Sequence, residues 1–159
     1  MITVWRLTKV KHLDDCFSGE GARASPARWS SGGRPIVYTA DSPALALVEI
    51  LVHLEDSAIL SRYRLRSAKF DDSLVEDVAQ NTLPHDWKTY PAPAALQSIG
   101  DEWLRAKRSV ALRVPSVVAP GYNYLLNPEH ADFRHVTIAP GHSAPLDPRL
   151  ERFARKPSR

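Results

Sequence analysis

The segment Ser42-Pro43 and the apolar run from Ala44 to Leu54 constrain the fold more than any other part of the chain. Serine is a good N-cap and proline suits the first helical position, so a helix is expected to start here and run to about residue 54. Ala44, Leu45, Ala46, Leu47, Val48, Ile50, Leu51, Val52 and Leu54 put apolar groups around the whole cylinder, which predicts a largely buried helix. Glu49 lies in the middle of it. A carboxylate in apolar surroundings is costly unless it is paired or hydrogen-bonded. Two readings stand: a glutamate satisfied by an arginine or by His53, or a carboxylate held at the rim of a cleft for chemistry. His53 is four residues on, hence on the same face and one turn away. A packing or hydrogen-bonding role competes there with a functional one.

The other elements follow from pattern. Ile2, Val4 and Leu7 predict a strand over 2–7, and Gly19, Gly21, Gly32 and Gly33 make 17–34 a loop region. A short β run at 36–38 precedes the helix. Strands are expected near 58–66 and 74–78, then a proline-bearing loop over 81–93. Ala95, Ile99 and Trp103 at four-residue spacing predict a helix over 94–107. Further β segments are read at 109–114, 123–127 and 136–139, with a second apolar stretch at 117–119. The last fifteen residues are expected to hold one short helix and a disordered end. At 159 residues the chain is long enough for one domain with a real core. Short strands with few helices and no βαβ periodicity predict a single α+β domain. No GxGxxG or P-loop is present, which argues against the common dinucleotide and nucleotide sites.

Several function classes are excluded on the same basis. The start lacks a basic segment followed by a long apolar one, and the run from Ala44 to Leu54 is too short and too polar to span a bilayer, so a cytoplasmic protein without a membrane role is expected. The single cysteine, Cys16, rules out an internal disulfide framework. Six histidines without HExxH or similar spacing, and one thiol, give no metal site. A net charge of +3 falls short of the dense basic stripe of a nucleic-acid binder. Arg62, Arg64 and Arg66 alternate along a probable strand, and Arg149, Arg152, Arg155, Lys156 and Arg159 crowd the C-terminus. They read either as a solvated face and a loose tail or as a surface for an acidic or phosphate-bearing partner.

Three more positions stand out. Arg28-Trp29 sits in the Gly/Ser-rich loop, where an arginine is either a surface residue or a bidentate grip on phosphate or carboxylate. Tyr38 is either a core residue or an aromatic face for stacking. Ser116, between two apolar runs, has no GxSxG elbow around it, which argues against a serine hydrolase. It ends a strand or makes a polar contact.

Taken together, these segments resemble the RES-domain family, the toxin partners of RES–Xre toxin–antitoxin modules. The matching residues are Gly19-Glu20-Gly21-Ala22-Arg23, Arg28-Trp29, and Gly33-Arg34-Pro35-Ile36-Val37-Tyr38-Thr39-Ala40. They continue through Ser42-Pro43, Ala44-Leu45-Ala46-Leu47-Val48-Glu49 and His53 to Val114-Pro115-Ser116-Val117-Val118 and Asn123-Tyr124-Leu125-Leu126-Asn127-Pro128-Glu129-His130. The family's eponymous Arg, Glu and Ser fall on Arg28, Glu49 and Ser116. Where the family commonly carries Asn after Arg-Trp, this chain has Ser30.

The resemblance implies a fold similar to the catalytic domain of ADP-ribosyltransferases, and NAD as the consumed substrate. Splitting the nicotinamide–ribose bond passes through an oxocarbenium-like ribose, which needs a carboxylate near the developing charge. By resemblance, Glu49 supplies it, Arg28 binds the pyrophosphate and Tyr38 stacks on the nicotinamide ring. Ser116 bonds substrate or orients Glu49, Asn127 lines the cleft, and His53 assists the acceptor. The implied protein is a toxin of a type II toxin–antitoxin system that transfers ADP-ribose to a protein acceptor, phosphoribosyl pyrophosphate synthetase being one in the family. NAD hydrolysis or phosphorolysis is the alternative, and a small ribonuclease-type toxin a more distant one. The implied partner is an Xre-like DNA-binding antitoxin that covers the active site.

Overall fold

The apolar residues of the strands alternate on two faces of one twisted sheet, and each face needs its own cover. The computed structural model describes residues 1–54, 57–144 and 146–152. Its strands are β1 (Ile2–Lys9), β2 (Val37–Ala40), β3 (Tyr63–Phe70), β4 (Val75–Asp77), β5 (Ala111–Pro115), β6 (Tyr122–Leu126), β7 (Thr137–Ile138) and β8 (His142–Ser143). The helices are α1 (Glu20–Arg23), α2 (Pro43–Leu51) and α3 (Ala94–Ala106). Strand order is β4-β5-β6-β2-β1-β3-β7, with β8 also on β3. The β4–β5 pair is parallel and every other pairing is antiparallel. The result is the expected single α+β unit.

On one face Val4, Val37, Ala68, Phe70, Ala111, Tyr124 and Leu126 pack under Cys16 and Phe17. The other face carries two separate clusters. Leu7, Ala40, Tyr63 and Leu65 meet Leu45 and Ala46 of α2. Leu112, Val114 and Leu125 meet Leu96, Trp103 and Leu104 of α3, together with Trp29 and Ile36. Register sets what lies between the helices. Ala40 pairs with Asn123 and Tyr38 with Leu125, so Tyr38 and Asn123 share this face on neighbouring central strands. The two helices therefore lie on the same side of the sheet, with this stretch of β2 and β6 between the clusters they cover.

Several expectations need correction. The first long helix stops at Leu51, with Val52 as its C-cap, and only Leu45 and Ala46 are buried. It rests on the sheet as an outer layer, so its far side meets solvent; Val52 is 56% exposed. The buried stripe of α3 is Leu96, Gly100, Trp103 and Leu104, about one position round from Ala95 and Ile99, because Trp29 docks against Gly100. The strand expected near 58–66 begins at Tyr63, since Ser57–Arg62 forms a 3-10 turn. Arg66 is no solvated side chain: it donates to the carbonyls of Ala139 at 2.8 Å and Leu13 at 2.5 Å. The segment expected over 136–139 pairs only through Thr137–Ile138. Near the C-terminus Pro148–Arg152 makes a 3-10 turn; Arg155, Lys156, Arg159 and the expected disordered end lie outside the described residues. Among the described residues no helix is long and apolar enough to cross a membrane, and no three His, Cys, Asp or Glu side chains group as metal ligands.

Candidate active site

Glu49 lies one turn beyond Leu45 on α2, on the side that meets the sheet, and is half-buried. Two donors converge on its Oε1 atom. Ser116 Oγ donates at 2.8 Å and Asn123 Nδ2 at 2.6 Å. Local structure brings these three together. Ser42 Oγ accepts from the Leu45 N–H at 3.2 Å and Pro43 opens the first turn, so the start of α2 is fixed. Asp41 then locks that start to β6: its N–H donates to the Tyr122 carbonyl at 3.0 Å, and its carboxylate accepts the Tyr122 N–H at 2.8 Å. Asn123 is the next residue. On the β5–β6 connection the Ser116 N–H donates to the Gly121 carbonyl at 3.1 Å, and Ser116 Oγ accepts the Val118 N–H at 3.1 Å. Gly121 has φ 141, and a Cβ there would sit 3.0 Å from both Asp41 Oδ2 and Leu45 Cδ2. Only glycine lets this turn close onto α2.

Arg28 enters from the opposite wall, and α3 places it. Trp29 is 2% exposed, and its carbonyl crosses α3 at Gly100, where a Cβ would stand 1.8 Å from the Trp29 oxygen. Gln97 Nε2 donates to the Ala27 carbonyl at 3.0 Å, and Asp101 accepts the Ser31 N–H at 3.1 Å. Ser30 is fully buried, and its Oγ accepts the Gly32 N–H at 3.1 Å, so the departure from the family's usual Asn serves the local turn. The Arg28 guanidinium holds the 87–89 loop through the Trp87 carbonyl at 2.8 Å and the Thr89 carbonyl at 3.2 Å. Two of its five N–H groups are thereby used. Burial lowers the affinity of Arg28 for its proton, and the Glu49 charge across the cleft opposes that effect.

Tyr38 packs its ring beside Trp29 and Ile36 on the cleft floor. Its hydroxyl is sealed from solvent without a partner in hydrogen-bond geometry. Burial pushes the phenol far above its usual range, with the Trp29 backbone offsetting only part of this.

Glu49 and Ser116 thus meet directly, Arg28 lies near enough for the Glu49 charge to act on it, and Tyr38 shares the sheet face of Asn123. His53 and Asn127 stand apart. With α2 ending at Leu51, His53 is exposed on the turn beyond it. Asn127 lies just past the far end of β6, about 13 Å along the strand from Asn123. It is 1% exposed, donates to the Leu104 carbonyl at 3.4 Å and accepts the Glu129 N–H at 3.0 Å. Its amide is used inside the fold and does not line an open cleft. Asn123 was not among the expected site residues. The signal for it was a polar side chain on the same face as Val114 and Leu125, where the alternation of β5 and β6 calls for an apolar one.

Comparison with known proteins identifies the family. The RES domain family matches residues 3–147. The chain is similar to "Toxin Res" of Yersinia enterocolitica, 35% identical over 93% of this chain and 99% of that protein. It is also similar to the "Prs ADP-ribosylating toxin" of a Sphingobium species, 35% identical over 94% of this chain and 97% of that one. Among solved structures, the Mycobacterium tuberculosis MbcT–MbcA toxin–antitoxin complex aligns with TM-score 0.74 at 22% identity, covering 97% of this chain and 88% of that one. The chain belongs to the RES domain family.

Proposed function

We propose that this chain is the toxin of a toxin–antitoxin pair and that it cleaves the nicotinamide–ribose bond of NAD, passing ADP-ribose to a protein acceptor. The observation that carries the reading is Glu49, half-buried, gripped by Ser116 and Asn123 and set opposite Arg28. Bond cleavage builds positive charge on the ribose, and a preoriented carboxylate in a partly dry cleft stabilises it without reorganising at the moment of reaction. The donor set fits the dinucleotide. Arg28 keeps three unused N–H groups for a pyrophosphate while holding the 87–89 loop as a cleft wall. The Tyr38 ring offers an apolar surface for a flat heterocycle. Ser116 orients Glu49 and keeps its oxygen aimed.

The acceptor and partner are part of the same proposal. The similarity to the Prs ADP-ribosylating toxin of a Sphingobium species supports phosphoribosyl pyrophosphate synthetase as acceptor. A DNA-binding antitoxin of the Xre-like kind that covers the cleft is the partner this reading implies. Incubation with NAD labelled on its adenylate phosphate, with and without cell lysate, tests the reading. Label on one lysate protein, absent with Glu49→Gln, is expected. Free ADP-ribose or its phosphate without labelled protein would make NAD depletion the toxic act. No NAD loss at all would overturn the proposal and leave RNA as the substrate to try.

A further inference from the structure

We propose that Asn123 is a positioning residue that, with Ser116, reserves one oxygen of Glu49 for the substrate; this rests on the NAD-cleaving reading. Both donors bind the same carboxylate oxygen, Oε1, at 2.6 and 2.8 Å. Oε2 takes no hydrogen bond from the described residues, and it is not among the polar atoms sealed from solvent without a partner. One oxygen is therefore saturated, while the other keeps its lone pairs free of these donors. Two donors on one oxygen also fix the rotation of the carboxylate, which a single bond leaves free.

The second amide atom of Asn123 supports the same assignment. Its Oδ1 is buried and has no partner. An orphaned buried carbonyl costs free energy, and turning the amide over would only set that oxygen against the Glu49 carboxylate. The side chain is thus held in a locally unfavourable state by one contact, its N–H to Glu49. Packing alone would favour an apolar residue here, as on the neighbouring positions Val114 and Leu125. A residue kept for that N–H is acting through Glu49.

Three variants separate this role from a structural one: Asn123→Ala, Asn123→Asp, and Asn123→Ala combined with Glu49→Gln. A charge-assisted bond of this kind corresponds to about 10- to 100-fold in rate. The alanine variant is expected to lose about that much in kcat for nicotinamide release, with KM for NAD within about twofold. Asn123→Asp keeps the shape but replaces the donor with a second carboxylate, so it is expected to be slower than alanine. Adding Asn123→Ala to Glu49→Gln is expected to change nothing further. A structural role gives the reverse order, with the isosteric aspartate the more active variant, and that order would overturn the assignment. If the wild-type protein releases no nicotinamide, the NAD reading fails separately. The same variants scored by growth arrest on expression then decide the role of Asn123: arrest weakened more by aspartate than by alanine supports it, and the opposite order refutes it.

Discussion

Substituting Gly100 by alanine should damage both the fold and the cleft, because α3 carries Arg28 through a backbone contact at that residue. The added Cβ would stand 1.8 Å from the Trp29 carbonyl oxygen and 2.9 Å from its carbon, and contacts under 3.0 Å essentially never occur. The opposing atoms are backbone, so the 27–31 segment must retreat by more than an ångström or α3 must tilt. Overpacking of this kind costs about 1–3 kcal/mol. A backbone clash at 1.8 Å belongs in the upper part of that range, about 2–3 kcal/mol, and the better helix propensity of alanine returns about 1 kcal/mol, leaving a net loss of about 1–2 kcal/mol. For a domain of this size that corresponds to a Tm lower by about 2–8 °C. The larger effect is on chemistry, since an ångström of misplacement at a substrate-binding residue costs about 100-fold. Thermal unfolding followed by circular dichroism, and nicotinamide release at saturating and limiting NAD, read the two effects. An unchanged Tm with full activity would refute the docking of Trp29 on α3. A lowered Tm with full activity would refute the dependence of Arg28 on that docking.

Three further outcomes are expected. Ser116→Ala removes the other donor to Glu49 Oε1, so kcat for nicotinamide release should fall about 10- to 100-fold; an unchanged kcat contradicts its orienting role. Arg28→Lys keeps the charge but not the planar grip on the Trp87 and Thr89 carbonyls. The 87–89 wall should loosen and KM for NAD rise about tenfold or more, whereas an unaltered KM would mean that Arg28 binds neither loop nor substrate. Tyr38→Phe deletes a buried hydroxyl without a partner and should leave stability unchanged or raise it by up to about 1 kcal/mol. Its pH dependence follows from the sign of the shift. Burial raises the folded phenol above the ordinary value of 10.0, so the unfolded chain releases this proton first. The stabilisation is full below that value and is lost as pH rises through it toward the folded one. Urea midpoints taken between about pH 9 and about pH 11 should fall more steeply for wild type than for Tyr38→Phe; parallel curves would contradict the burial of the hydroxyl.

The legible parts of the molecule were those where local pattern and tertiary need coincide. Ser42-Pro43 caps α2 as its sequence says, and Ile2, Val4 and Leu7 lie in a strand. Glu49 was conspicuous because a carboxylate among leucines demands partners, and two side chains supply them. What sequence left hidden depends on packing between distant segments. The apolar run of α2 does not say that the helix is an outer layer and stops at Leu51. Of Ala95, Ile99 and Trp103, which give α3 its period, Trp103 is buried and Ile99 packs at the edge of the core, while Ala95 is exposed, since the centre of the buried face is set by Trp29 docking on Gly100, about seventy residues away in sequence. Asn127 carries the same amide as Asn123, and only the register of β6 with β2 puts one beside Glu49 and buries the other. Arg66 could not be known to tie down the carbonyls of Leu13 and Ala139, because that bond joins segments with no shared pattern.

The most direct test of the central claim is the rate of nicotinamide release from NAD by the purified wild-type protein and by Glu49→Gln, compared at matched folded content by circular dichroism. The amide can still accept from Ser116 but brings no charge to the developing positive ribose. Steady release by wild type and a loss of about 1000-fold in the variant are expected, at the upper end of what one electrostatic group contributes. Equal rates from two equally folded proteins would contradict a catalytic carboxylate, and Glu49 would then be a half-buried group that serves only to hold α2 against the β5–β6 turn.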